Sequence, residues 1–221
     1  MFNVFDHGKW REAPMARRTK EEAAATRDSI LDAAEKLFVE QGVSRTTLQH
    51  IASAAGVTRG AIYWHFDDKG ALFIAMMERA TLPLEAEMQV LDESESGDPL
   101  TSLREYVLAV LRRTVEDPIA RRVFEIATLK VEFVDEMDAV RCRRKHNLAQ
   151  WMARAERRIK LAADQGLIAR DIDPATVALA MWTMIDGMIR NWMFAPQSFD
   201  LLELGKCVID PYIKGLRAGR A

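Results

Sequence analysis

No stretch of this chain alternates apolar and polar residues at the two-residue period of a half-buried strand. From Thr26 onward the apolar positions recur at three- and four-residue spacing, the repeat of a helix with one buried face. That feature confines the chain to an all-α architecture. Ile30, Ala34, Leu37 and Phe38 mark the first face, and Gly42 ends it as a C-terminal glycine does. Thr46 or Thr47 can cap a second helix carrying Leu48, Ile51, Ala52 and Ala55, which Gly56 breaks after about two turns. Thr58 caps a third, very short helix, with Ala61 and Ile62 inward and Arg59, Tyr63 and His65 outward. Asp67 and Asp68 start a fourth with Leu72, Phe73, Met76, Met77 and Ala80 on one side, and Pro83 is a candidate kink. The acidic stretch 85–98 reads as a fraying helix end and a loop. Helices are then expected over about 99–116, 119–132, 135–164, 174–194 and 199–217, the fourth of these opened by Asp173-Pro174.

Several function classes drop out on composition and motif. The longest nearly apolar stretch, Ala175 to Ile185, is too short to span a bilayer and is stopped by Asp186. Asp6, His7 and Lys9 interrupt the region where a signal peptide needs an apolar run, so a cytoplasmic protein with no membrane partner is expected. Residues 1–14 precede a second methionine, Met15, whose Met-Ala-Arg-Arg-Thr-Lys continuation reads as an N-terminus. They are left out of the fold expectation. Cys142 and Cys207 lack neighbours at metal-ligand spacing, so no metal or cofactor is expected. The chain carries no HExxH, GxSxG, GxGxxG or Walker loop, and its histidines (His7, His50, His65, His146) are scattered. An enzyme is therefore not expected.

The segment 47–66, TLQHIASAAGVTRGAIYWHF, has the layout of a helix-turn-helix, although an ordinary αα-hairpin shares its glycine turn. Net charge is only −2, so a nucleic-acid reading must rest on where charge is placed. Arg59 and Lys69 sit in the first turns of the third and fourth helices. A cation there opposes the helix dipole at about 0.3–1 kcal/mol each. A phosphate at the same helix end reverses that cost. Gly60 removes a side chain where a backbone is to approach a groove. Tyr63 and His65 offer hydrogen-bond donors, while Trp64 reads more readily as packing than as contact.

These residues resemble the TetR family of bacterial one-component regulators, and within it the AcrR-type multidrug-efflux repressors. The likeness is close over Met15–Phe73, above all in GVTRGAIYWHF followed by Lys69. Fainter echoes lie in DPL at 98–100, EF at 132–133 and DGMIRNWMFAPQSFDL at 186–201. The resemblance implies an N-terminal extension and basic arm over 1–24 and a helix-turn-helix DNA-binding domain over 25–70. A larger helical ligand-binding and dimerisation domain would occupy 71–221, with about nine helices in all. It implies a repressor that binds a palindromic double-stranded DNA operator as a homodimer, is released by a small amphipathic or aromatic inducer, and controls a multidrug efflux operon. A constitutive DNA-binding regulator and, further off, a small helical enzyme are the alternatives. By the resemblance Thr47 and Thr58 bond phosphates, Arg59 and Gly60 meet base edges, and Tyr63, His65 and Lys69 clamp the backbone, with Trp64 beside them. Arg17, Arg18 and Lys20 form the basic arm, an element that elsewhere reaches phosphates or the minor groove.

Beyond the DNA-binding helices physical reading carries more weight. Helix 174–194 is nearly apolar all round, so Trp182, Asp186 and Arg190, four residues apart, stand out as polar or amphipathic anchors on one face. An internal Asp186–Arg190 bridge is the plainer account. Tyr106, Val107 and Val110, with Phe124, Glu125 and Thr128, are expected to supply the other walls of a ligand pocket, and Met76, Met77, Met181 and Met184 a pliable lining. The run 141–160, with eight Lys/Arg and one acid, reads first as a solvated helix face and second as an anionic-ligand or nucleic-acid surface. Trp192, Phe194, Phe199, Leu201, Leu202, Leu204, Val208, Ile209 and Tyr212 are expected to form a dimer interface.

Overall fold

The computed structural model describes residues 14–93, 97–132 and 137–218. Among them nine α-helices and one π-helical turn follow in order: α1 Pro14–Gln41, α2 Leu48–Ala55, α3 Arg59–His65, α4 Lys69–Glu93, α5 Pro99–Glu116, α6 Pro118–Glu125, the π turn Ile126–Lys130, α7 Asp138–Asp164, α8 Pro174–Phe194 and α9 Leu201–Ala218. The all-α expectation holds, and no strand occurs among the described residues.

The starts and stops have local causes. Thr47 caps α2 with a full capping box, its hydroxyl accepting from the His50 amide while the His50 ring accepts from the Thr47 amide. The residue ahead of it, Thr46, is buried and donates its hydroxyl to the Gly42 carbonyl at 2.7 Å. Gly56 adopts φ +69°, the left-handed conformation that lets the chain turn directly into α3. Three helices open on the same device, an Asp N-cap followed by Pro: Asp98-Pro99, Asp117-Pro118 and Asp173-Pro174. Each aspartate accepts backbone N–H groups that the first helical turn leaves without partners.

Two helices are longer than expected. α1 begins at Pro14, so Arg17, Arg18 and Lys20 belong to its first turns and are not a separate arm. α4 continues past Pro83 to Glu93, so most of the stretch expected as a fraying helix end and a loop is helix. Pro83 removes one hydrogen bond, but Ala80 and Leu84 are buried against neighbouring helices, and such packing outweighs one lost bond. The single helix expected over 119–132 divides instead into α6 and the π turn, while the first two residues of the helix expected over 135–164 lie outside the described residues. Residues 1–13 and the EF echo at Phe133 lie outside the described residues.

Two hydrophobic cores result. The first joins α1–α3 and the first half of α4 to Ala120, Val123 and Ile126, so packing runs on past the expected boundary at residue 70. The second lies among α5, α7, α8 and α9, with Leu103, Leu111, Ile159, Ala178 and Ile209 fully buried or nearly so. Trp192, Leu201 and Ile209, expected at a dimer interface, are buried in this core of their own protomer. The large apolar side chains left exposed on α8 are Leu179 and Phe194, at 55% and 72%.

Candidate DNA-reading face and ligand cavity

α2 and α3 meet through Gly56, and α3 is anchored by Ile62, fully buried, and by Phe66 just beyond its end. That anchoring turns Arg59, Gly60, Tyr63 and Trp64 outward. Arg59 donates to the Tyr63 hydroxyl at 2.9 Å and its guanidinium lies over the Tyr63 ring, so the two side chains form one ordered, exposed unit. Trp64 is 73% exposed, which overturns its reading as a packing residue. It meets the His65 ring edge-on at 4.6 Å. Burial, and then the charge of Arg27, hold the His65 imidazole below its ordinary pKa of 6.5. Thr58 and Thr47 are both exposed at helix N-termini, their hydroxyls accepting from Ala61 and His50 amides. A Cβ at Gly60 would meet nothing closer than the Thr58 hydroxyl at 3.8 Å, so nothing within the chain demands glycine there.

Lys69 departs from expectation. It is the first residue of α4, but it is buried, and its ammonium donates to the carbonyls of Val43 and Thr46, each at 3.1 Å. Those carbonyls offset the unfavourable helix dipole within the chain itself. The same loop is held from the other side, because the Val43 amide donates to the Lys130 carbonyl of the π turn at 3.2 Å.

Behind this head lies a cavity of about 410 Å³ enclosed by α4, α5, α6, the π turn, α7 and α8. Tyr106, Val110, Phe124, Thr128, Trp182, Asp186 and Arg190 all line it, as expected. Val107 and Glu125 do not. Val107 is fully buried in the second core, one residue round α5 from the wall, and Glu125 closes α6 away from the space. Of the four methionines only Met77 reaches the cavity, since Met76 and Met181 are buried in the two cores and Met184 packs against the second. Trp151 and Trp182 approach with ring centroids 5.3 Å apart, forming an aromatic wall.

The polar lining was largely missed. Arg143, Arg144, Asn147 and Arg154 of α7 all face the cavity, and Arg158 is buried, so the run 141–160 is not simply a solvated face. Arg143 binds Glu78 of α4 at 2.8 Å. Asp186 lies 3.3 Å from Arg190 and 3.9 Å from Arg144, so the expected intrahelical bridge exists but is shared with α7. Thr81 Oγ1 and Asn147 Oδ1 are buried beside the cavity without a hydrogen-bond partner. Arg143, Asn147 and Trp151 lie on one stripe of α7, but four-residue spacing alone does not single that stripe out from the other polar stripes of the helix.

Residues 98–218 match the family model of the MAATS-type transcriptional repressor C-terminal region, and residues 30–76 that of the tetR family of bacterial regulatory proteins. The chain is 44% identical over 190 residues to the HTH-type transcriptional regulator AcrR of Shigella flexneri, a match spanning 85% of this chain and 87% of that one. It superimposes with a TM-score of 0.81 and 33% identity on NalD, the secondary repressor of the MexAB-OprM multidrug efflux pump in Pseudomonas aeruginosa, over 89% of this chain and 98% of that one. SmeT of Stenotrophomonas maltophilia in its triclosan complex is similar at a TM-score of 0.78 and 31% identity, over 86% and 91% of the two chains. The chain belongs to the TetR family of bacterial transcriptional regulators, in its AcrR-type multidrug-efflux repressor subgroup.

Proposed function

We propose that this chain represses a multidrug efflux operon by binding a palindromic operator as a homodimer, and that a small amphipathic or aromatic inducer releases it. The observation that carries the reading is the sharing of α4. Its first residue, Lys69, pins the loop before α2, and the same helix supplies Phe73, Ile74, Met77, Thr81 and Leu84 to the cavity wall. A ligand that moves this wall moves the reading head.

On the DNA side Arg59 and Gly60 meet base edges, and Thr47, Thr58, Tyr63, Trp64 and His65 contact the backbone. Arg17 and Arg18, in the first turns of α1, supply sequence-independent attraction to phosphate. Lys69 acts indirectly, by holding the loop. A two-fold pair of heads reading a palindrome requires a dimer, and the exposed Leu179 and Phe194 on α8 support that face as its interface. The apolar cavity with a few polar anchors has the make-up of a small-molecule site. The efflux pump named for NalD and the triclosan bound by SmeT support the regulated operon and the inducer class.

Mobility shift of the upstream DNA of the chain's own gene tests the reading, with and without aromatic candidates. A specific complex that ligand dissolves supports it. Specific binding that no ligand alters favours the constitutive regulator.

A further inference from the structure

Among the described residues, arginines outnumber carboxylates in the cavity wall. Four arginines line it (Arg143, Arg144, Arg154 and Arg190), against two carboxylates, Glu85 and Asp186. Glu78 answers Arg143 at 2.8 Å from just outside the wall. Among the described residues Asp186 is the carboxylate that pairs with both Arg144 and Arg190, at 3.9 Å and 3.3 Å, so one negative charge serves two positive ones. Both guanidiniums are about half exposed, at 47% and 49%, which sets them at the cavity opening. Exposed pairs at such distances are worth little and rearrange readily. Deeper in, the Trp151–Trp182 wall provides a flat apolar surface, and Asn147 Oδ1 and the Thr81 hydroxyl wait for partners. A cationic guest would bring its charge to a site already in positive excess.

We infer that the cavity selects amphipathic organic anions, a carboxylate or ionised phenol on a flat apolar body, with Arg144 and Arg190 at its opening taking the negative end. A guanidinium meets a carboxylate with paired, charge-assisted hydrogen bonds, which Asp186 at its present distances only partly provides. The apolar body then lies along Trp151 and Trp182, and a hydroxyl on it can donate to Asn147 Oδ1. The inference rests on the proposed role of the cavity as the inducer site and adds the sign of the inducer's charge.

Calorimetric titration of the full chain with three compounds of one shape tests it: biphenylcarboxylate, biphenylcarboxamide and biphenylmethylammonium. The anion is expected to bind roughly tenfold or more tightly than the ammonium compound, with the amide between them, a gap of the size that one charge-assisted contact provides. That gap should narrow as salt is raised. In Arg144→Gln/Arg190→Gln the anion should fall to the affinity of the amide, while the amide is unchanged. Equal binding of all three, or tighter binding of the cation, overturns the charge selectivity and leaves the cavity as a ligand site. Binding of none of the three overturns both. An anion preference that survives in the double variant overturns the assignment to Arg144 and Arg190. The wild-type comparison stands even if the double variant unfolds.

Discussion

The carboxylate of Glu35 on α1, 1% exposed, holds the guanidinium of Arg79 on α4. Arg122 of α6 reaches its other oxygen at 3.4 Å, and Asp32 supports Arg79 at 2.8 Å. One buried acid thus ties the helix beneath the reading head to two helices that also enclose the cavity. Glu35→Ala is expected to destabilise the chain by about 3 kcal/mol, because it leaves Arg79 in a mostly buried position with less compensation. Urea unfolding measures this, and Glu35→Ala/Arg79→Met should recover part of the loss. A single variant as stable as wild type would show that the cluster contributes nothing.

Lys69 separates two kinds of lysine by their salt behaviour. A phosphate-contacting lysine, once removed, flattens the salt dependence of DNA binding by about one unit. Lys69 spends its charge on the Val43 and Thr46 carbonyls, so Lys69→Met should weaken operator and unrelated DNA alike while leaving that slope unchanged. Affinity titrations across salt concentrations decide between the two. A slope reduced by one unit would return Lys69 to the DNA backbone.

The contrast between Lys69 and Arg59 marks how far the sequence could be read. A cation in the first turn of a helix is visible as an oddity, but whether carbonyls or phosphate receive it depends on where the α1–α2 loop lies. Likewise Tyr106, Thr128 and Asp186 were legible as wall residues because each is a polar or amphipathic group on an otherwise apolar helix face. Arg143, Asn147 and Arg154 were not. α7 is polar overall, and periodicity cannot tell which of its charged stripes α4 and α8 will cover. Val107 failed for the opposite reason, since a fully buried valine and a cavity-lining one leave the same trace. Asp98-Pro99 and Asp117-Pro118 repeat the Asp173-Pro174 helix start and open α5 and α6 where helices were expected to begin, whereas nothing in the sequence marks the change from α6 to the π turn.

His65 sets a pH dependence on DNA binding. Burial, and then Arg27, depress its pKa below 6.5 in the free protein, so the ring is neutral at pH 7. A nearby phosphate favours the protonated ring, so binding takes up a proton as pH falls, and operator affinity should rise from pH 8 to pH 6. Folding carries the opposite sign. The unfolded chain binds that proton more readily, so stability contributed by the neutral ring is present above pH 6.5 and declines below it. His65→Gln should remove both trends. A wild-type affinity whose pH profile matches the variant's would take His65 off the DNA-facing surface.

The outer face of α8 offers a test of assembly that leaves the protomer's core alone. Leu179 and Phe194 are more than half exposed, whereas Trp192, Leu201 and Ile209 hold the second core together, and charging any of those would unfold the chain before it split a dimer. Leu179→Glu/Phe194→Glu should therefore yield a folded monomer by sedimentation. Its operator affinity should drop by several orders of magnitude, since each head then binds one half-site without its partner. A dimer that persists in this variant would place the interface on another face.

Asp186 is the remaining lever on the ligand response, because it pairs with both Arg144 and Arg190. Asp186→Asn keeps the size of the side chain and removes its charge, which leaves both guanidiniums with fewer competing contacts. DNA affinity without ligand should be unchanged, as the ion-pair partners of Asp186, Arg144 and Arg190, lie on α7 and α8. The concentration of biphenylcarboxylate needed to release the operator should fall several-fold, while that of the ammonium compound stays the same or rises. Release couples to binding only through the ligand's differential affinity for the two conformers, typically about 1–3 kcal/mol, so a tighter grip limited to one conformer appears directly as higher inducer potency. If potency toward both compounds were untouched, Asp186 would be a structural partner of Arg190 and the cavity opening would lie elsewhere.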